Sequence, residues 1–458
     1  MTSHTRIQGI HSPRLRNFIA FQRDPLQFLV DVLPEGDIVS LRTSAFRPTF
    51  IVNAPDFVQE ILVAKDGWFR KGRSSAVLRR TVGDGLLTTE NPVHQQQKKT
   101  MTPAFYKERI RAYCDIVAEE ARKTAASLRE GEPVAMHELM MKLTLGIIAR
   151  SMFATDVEDR KAELADAVDV TIRQSARTLF SPIVLPFGVP TRGNRQHRGA
   201  IRTLEEMVYG VIRDARAHPG RYADTLLGLL LDARREDGRP LPDAEIRDQL
   251  MTMLLAGHET TANALVWVWE SLARVPEAEA AFHAELDRID ESRTVEGQDD
   301  AESPYDRYRR LPYTQQVVQE TLRLYPPAWI ILREAKREVE LLGERFPADS
   351  SFLISPYALH RNERVFGDAL SFRPERFAGE QAGWPKFAYF PFGGGSRGCI
   401  GSQFAILEAV LILAELGSRF RFLRTDETPA VPEPLVSLRV KGSLTMVPVR
   451  RERESGLP

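Results

Sequence analysis

Along the middle of the chain, apolar residues return every three or four positions. From about residue 104 to 275 this period dominates, as in AVDVTIRQSARTLF (167–180) and TLEEMVYGVIRDARAH (203–218), and it predicts a succession of amphipathic helices. LMTMLLAGHETTANALVWVWESLA (250–273) is apolar on nearly every side and predicts a helix buried through the centre of the protein. Outside this block the period shortens. DIVSLRT (37–43) and RPTFIVNAP (47–55) alternate or cluster β-branched and aromatic residues, as a strand hairpin does. REVELLG (337–343), SSFLISPYAL (350–359) and LVSLRVKGSLTMVPV (435–449) predict further short strands, the last with a turn at Lys441-Gly442-Ser443. The expected fold is therefore mainly α, a large helical body with small β elements at both ends.

Two stretches interrupt the pattern. SPIVLPFGVPTRGNRQ (181–196) is apolar but broken by prolines and glycines, and reads as an ordered, mobile connector. DRIDESRTVEGQDDAESPYDRYRR (287–310) is the most polar segment, either a linker between domains or a long solvated loop within one. The first ~30 residues are expected to be flexible, as chain ends commonly are.

Composition narrows the class. The 458 residues carry 62 basic and 62 acidic side chains, which gives no support to nucleic-acid binding through a broad basic surface. No apolar run has the length of a signal-peptide core or a spanning helix, so a soluble, cytoplasmic protein without a transmembrane anchor is expected. Cys114 and Cys399 stand in unrelated contexts, which argues against a disulfide framework or a four-cysteine zinc site while leaving one disulfide open.

Cys399 lies in PFGGGSRGCIG (391–401), just ahead of the apolar helix pattern SQFAILEAVLIL. Glycines let the backbone take positive φ and approach closely whatever sits there. Free N–H groups and the positive end of the following helix favour thiolate, so Cys399 is expected to be more acidic than usual. Such a thiolate suits a nucleophile, a redox thiol or a metal ligand; a buried structural cysteine is the plainer alternative. Two other windows carry polar groups with open meanings. Glu320 and Arg323 share one helix face and can be a solvated ion pair. Glu259, Thr260 and Thr261 interrupt the central apolar helix next to Ala256-Gly257. They suit either a polar path into a cavity or a solvent-facing acid with hydroxyls bonded back to carbonyls.

Taken together, these residues resemble a known family. Phe392, Gly395, Arg397, Cys399 and Gly401 spell F-x-x-G-x-R-x-C-x-G, similar to the haem-binding signature of the cytochrome P-450 family. Glu320 and Arg323 resemble its E-x-x-R, with Arg376 of FRPERF as third member of an ion-pair network. AGHETT (256–261) resembles its A-G-x-[DE]-T-T. The motifs follow the family's order over roughly residues 35 to 450, and the resemblance implies a single cytochrome P-450 catalytic domain across 1–458, with the polar segment an insertion within it.

The resemblance also implies roles. Cys399 would be the axial thiolate of haem b, with Phe392 and Gly393 beside the haem. Arg397, Arg333 and the pair His94 and Lys98 would meet its propionates, Lys98 standing where the family has arginine. Thr260 would hold hydrogen bonds over the distal face and Glu259 would relay protons, while His258 occupies a variable position and is read as packing. Substrate walls are expected from residues 72 to 88, the connector, Ala256, Ala328, Trp329, Ile330, Ile331 and the turn near Ser443. The implied reaction inserts one oxygen atom of O2 into a lipophilic substrate such as a fatty acid, terpenoid or polyketide-like molecule. Electrons would come from NAD(P)H through a separate ferredoxin or flavodoxin and its reductase, since the ~60 residues after Cys399 fall short of a domain. Lys98 and Lys99 would help dock that partner. A monomer is expected. The alternatives are a peroxide-driven or isomerising haem-thiolate enzyme, a non-catalytic haem sensor or carrier, and a non-haem structural protein.

Overall fold

The apolar run at 250–273 forms most of a 32-residue helix, Asp243–Arg274, with Asp243 and Glu245 in its first turn and Arg274 in its last, each complementing the helix dipole. Its core positions are fully buried, Leu265 and Trp267 among them. The helices packed most extensively against it are Met136–Phe153, Arg192–Ala217, Pro312–Leu324 and Ser402–Gly417. These surfaces share one apolar core, so the long helix is the axis of the helical body. The computed structural model describes residues 7–10, 13–41, 48–181, 185–295, 302–379 and 383–451.

Beside this body lies a six-stranded mixed sheet with its own aromatic core of Phe50, Phe69, Phe346 and Phe352. Ile38–Ser40 and Thr49–Val52 pair antiparallel, the hairpin expected from their alternation. Thr49–Val52 then runs parallel to Ser351–Ile354, which pairs antiparallel with Ile331–Ala335. The register sets Arg333 opposite Phe352. Ile331–Ala335 also pairs with Phe69–Arg70, and its N-terminal end meets the Cys399 loop, with Ile331 against Gly393.

Several expectations change. The N-terminal stretch is structured from Ile7 wherever it is described, and the helix Pro25–Asp31 buries Leu26, Phe28 and Leu29 in a third core. Most of the polar segment 287–310 is helix: Pro276–Val295 runs through its first part and Pro304–Arg309 through its last, while 296–301 lie outside the described residues. Helix wins over solvated loop because Phe282, Leu286 and Ile289 bury one face of that run. Lys441-Gly442-Ser443 is a turn, with Gly442 at φ 79, but it joins two sheets: Leu438–Val440 pairs with Pro432–Pro434, and Thr445–Arg450 with Phe420–Arg424. Both cysteines are free, and the Cys114 thiol bonds the Ile110 carbonyl at 3.2 Å.

Candidate functional site

The Cys399 loop is held by its own backbone. The Cys399 N–H donates to the Phe392 carbonyl at 3.0 Å, Gly398 N–H to Gly395 O at 3.1 Å, and Gly393 N–H to Phe390 O at 2.9 Å. Gly395 has φ +67, and a Cβ there would stand 1.8 Å from the Leu62 carbonyl oxygen, so the position requires glycine twice over. The ammonium of Lys98 closes the loop from outside, donating to Ser396 O at 2.7 Å and Gly398 O at 3.0 Å. That corrects the docking role expected of Lys98, whose side chain is turned in to brace the loop at the cavity's edge, while Lys99 stays at the surface.

The thiol itself opens into the cavity yet sits deep within the protein. Burial pushes it up, outweighing the Gly401 N–H and the Lys98 ammonium, which push it down. The expected acidic thiol is therefore overturned: the donors are present, but desolvation wins. A metal on the sulfur removes the proton outright.

A buried histidine fixes how the loop begins. His360 accepts the Phe390 N–H on Nε2 at 3.0 Å, which leaves Nδ1 to donate to the Arg323 carbonyl at 3.2 Å. Complete burial pushes its pKa down to about 3, so the ring is neutral. Through Arg323 this contact joins the loop to the expected network. Glu320 and Arg323 are both fully buried and bonded twice, at 2.7 and 2.8 Å, so the pair is no surface contact. Arg376 donates to Glu320 at 3.2 Å, and the remaining Arg323 N–H groups reach the carbonyls of His360, Ala369 and Ser371. Every polar atom is used, which is the condition for such a network to order a core.

Above the loop lies a cavity of about 440 Å³ whose walls include Cys399, Phe392, Gly393, Ala256, Thr260, Ala328, Ile330 and Ile331. One end of it is cationic. Lys71, Lys98, Arg333 and Arg397 gather there with only Asp66 and Glu90 as nearby carboxylates. Burial and then the Arg397 charge push Arg333 down to about 10 and Lys71 to about 7, as crowding by like charge requires. His94, also at this end, is pushed down to about 4 by burial and the surrounding cations. Its Nδ1, Arg333 Nε, and Arg397 Nε and Nη1 are buried without a hydrogen-bond partner. Orphaned donors of this kind call for an anion. A planar apolar group bearing two carboxylates, with its metal on Cys399, fits both ends of the cavity, which is the description of haem.

On the opposite wall, Thr260 Oγ donates to the Ala256 carbonyl at 2.8 Å and borders the cavity. Glu259 does not border it. Its carboxylate is buried behind the helix, accepting from Ser437 at 2.6 Å and pairing with Arg439 at 2.9 Å, and Arg439 also pairs with Asp169. His258 is buried and bonds the Leu254 carbonyl, in keeping with packing. Two substrate contacts are corrected. The Trp329 ring points away, stacked on Phe180 with its N–H on Leu435 O at 3.0 Å, in the irregular segment just ahead of the strand Ile331–Ala335. Ser443 is exposed on its turn and borders nothing in the cavity. Residues 72–88 do form a wall, but as the helix Arg73–Val82 and the turn after it, through Ser74, Leu78, Leu86 and Leu87. The connector's described residues lie outside the wall, and 182–184 are outside the described residues.

Four contributors escaped the sequence reading. Lys71, His360 and Arg439 carry no local signal, being set by tertiary pairing. Glu408 does carry one: it is an acid inside the apolar run SQFAILEAVLIL, and it borders the cavity.

Among known proteins, the family model described as cytochrome P-450 matches residues 13–446. The chain is 36% identical over 442 residues to cyclooctatin synthase of Streptomyces melanosporofaciens, covering 96% of this chain and 94% of that protein. It is 34% identical to cyclooctat-9-en-7-ol 5-monooxygenase of the same organism, over 89% and 87% of the two chains. To pentalenene oxygenase of Streptomyces avermitilis it is 31% identical, over 96% of each.

Proposed function

The chain belongs to the cytochrome P-450 family, and from that membership we propose a substrate class and a division of labour among its residues. It is a haem-thiolate monooxygenase, putting one atom of O2 into a lipophilic substrate with electrons from NAD(P)H through a redox partner. The substrate we propose is a terpenoid. The cavity carries this reading: it is walled by branched aliphatic side chains such as Leu78, Leu86, Leu87 and Ile330, with Thr260 as a hydroxyl beside them. Such walls favour a compact hydrocarbon skeleton and offer no cation at that end for a free carboxylate. The names of the relatives point the same way.

Haem, when bound, supplies dioxygen activation, and its thiolate ligand donates electron density that favours O–O cleavage. The rest falls to the chain. Cys399 offers the thiolate, and Lys98 and the loop hydrogen bonds hold its position. Arg397, Arg333, His94 and Lys71 would hold the propionates, and the first three would gain the partners they lack. Phe392 and Gly393 line the haem's edge. Thr260 orients a hydrogen bond over the reacting face, and Glu259 passes protons from the Arg439 and Asp169 side. The aliphatic walls exclude water and hold the substrate C–H bond in place.

A ferredoxin or flavodoxin is the electron donor we propose, meeting the Cys399 face near Lys99. The protein works as a cytoplasmic monomer, where its two free thiols stay reduced. The test is a spectral titration of the haem-loaded protein with polycyclic terpenoid hydrocarbons and alcohols against long-chain fatty acids. A terpenoid that shifts the Soret band and is oxygenated with reductant and reductase supports the reading. Turnover of fatty acids alone replaces it.

A further inference from the structure

The two leucines that wall the cavity side by side, Leu86 and Leu87, stand on a turn outside any helix or strand. Side chains hold that turn from several directions. From the long helix, Asp248 accepts the Asp84 N–H at 2.7 Å and Gln249 accepts the Leu86 N–H at 2.9 Å. Gly85 lies flat on the same helix, where a Cβ would stand 2.5 Å from the Asp248 carbonyl oxygen. From the helix Val93–Met101, Gln97 donates to the Asp84 carbonyl at 2.8 Å and accepts the Thr89 hydroxyl at 2.6 Å. The carbonyls of Leu86 and Leu87 themselves go to one group, the ammonium of Lys71, at 2.8 and 2.9 Å.

Lys71 reaches them from the sheet, directly after the strand Phe69–Arg70. Its own backbone N–H donates to Glu90 Oε1 at 2.5 Å, and Glu90 Oε2 accepts Arg397 at 2.7 Å. The main chain of Lys71 is thereby tied down beside the cationic end of the cavity. An ammonium has three donors. Two go to the leucine carbonyls, and one remains for the anion that this end calls for. The position of Leu87 gives the bridge its weight. The two carbonyls belong to the peptide planes that flank Leu87, and its φ and ψ are the only soft rotations between those planes. Pinning both oxygens on one ammonium removes that freedom, and with it the swing of the Leu87 side chain in the cavity.

We propose that Lys71 is a positioning residue for specificity: it fixes Leu86 and Leu87 as one rigid wall and thereby selects which carbon of the substrate is oxygenated. The selection rests on the monooxygenase reading above; the bridge itself does not. Lys71 acts here through the leucines. This role is separate from holding a propionate, because it is carried by the two N–H groups spent on carbonyls. A compact hydrocarbon offers the site no polar group by which to orient it, so the shape of the wall decides its orientation. A wall free to rotate at Leu87 admits more than one orientation and yields more than one product.

The test compares the haem-loaded parent with Lys71→Met, which keeps the stem and loses every donor, and with Lys71→Arg, whose larger head still spans two carbonyls. Amide hydrogen exchange reads the wall directly. The N–H groups of Leu86 and Thr88, bonded to Gln249 and to the Gly85 carbonyl, should exchange about tenfold faster in Lys71→Met and at the parent's rate in Lys71→Arg. Product ratios with caryophyllene and with lauric acid read the selection. Lys71→Met should spread oxygen over positions that the parent leaves untouched. Lys71→Arg, with the turn still protected, should shift the ratio, because its longer bridge moves Leu87. A purely structural role would not separate the two variants in this way. Parent exchange rates in Lys71→Met overturn the bridge. Faster exchange with the parent's product ratio overturns the selection. Should Lys71→Met fail to take up haem, Lys71→Arg decides: a shifted ratio supports the role and the parent's ratio overturns it. A parent that itself lacks the carbon monoxide signature of thiolate-ligated haem defeats the monooxygenase reading instead, while the exchange rates still decide the bridge.

Discussion

At the scale of single residues, the site separates groups that touch the cavity from groups that steady those that do. Thr260 belongs to the first kind. Thr260→Ala is expected to keep substrate affinity within about twofold, because the hydroxyl serves the reaction and not uniform binding. The same variant should release much of its reducing power as hydrogen peroxide, measured as product per NAD(P)H consumed. Glu259 does not touch the cavity, and Ser437, Asn263 and Arg439 hold it in place on the path proposed for protons. Removing its counter-ion leaves a buried charge unpaired. Arg439→Ala should therefore cost about 3–5 kcal/mol in urea unfolding, and Arg439→Lys distinctly less. Equal costs for the two would mean that packing, not charge, is what Arg439 contributes.

Elements explain why these residues meet. The Cys399 loop is fixed at one end by His360 and at the other by the helix that follows, with Gly395 pressed against Leu62. Gly395→Ala is expected to abolish haem uptake while leaving far-ultraviolet circular dichroism near the parent's, since the clash is local. Purification of a fully haem-loaded Gly395→Ala would contradict this. Much of that architecture was legible from the chain. The loop, the Glu320–Arg323 pair and the Thr260 window are runs of nearby residues whose spacing alone places them on one turn or face. Trp329 and Ser443 were not legible in the same way, because both lie in connecting segments, where the direction of a side chain is set by tertiary partners and not by a local period. The bracing role of Lys98 was hidden for a related reason: a lysine near a cysteine loop can reach out to solvent or in to a carbonyl, and only the fold sets the distance. Residues 287–295 looked solvated because their charges are many, yet they continue a helix that Phe282, Leu286 and Ile289 bury along one face.

For the whole molecule, the consequence is a preference for neutral pH. His137 and His197 are pushed down to about 4, and His360 to about 3, in each case by burial first. Unfolded, each titrates near 6.5. The folded state binds fewer protons than the unfolded one between those values, so stability is full above about pH 6.5 and falls as pH drops. At roughly pH 5.5 each of the three contributes about 1.4 kcal/mol of loss. Urea midpoints taken at several pH values should fall on acidification from neutrality. A flat profile over that range would mean that these rings are charged in the native state.

The measurement that bears most directly on the whole account is the absorption spectrum of the purified, haem-loaded protein, reduced and exposed to carbon monoxide, beside that of Cys399→Ser. The account predicts a Soret band shifted far to the red in the parent and returned to the usual haem position in Cys399→Ser. A parent band at the usual position, or a red-shifted band that survives the substitution, would contradict Cys399 as the thiolate on which the site is built.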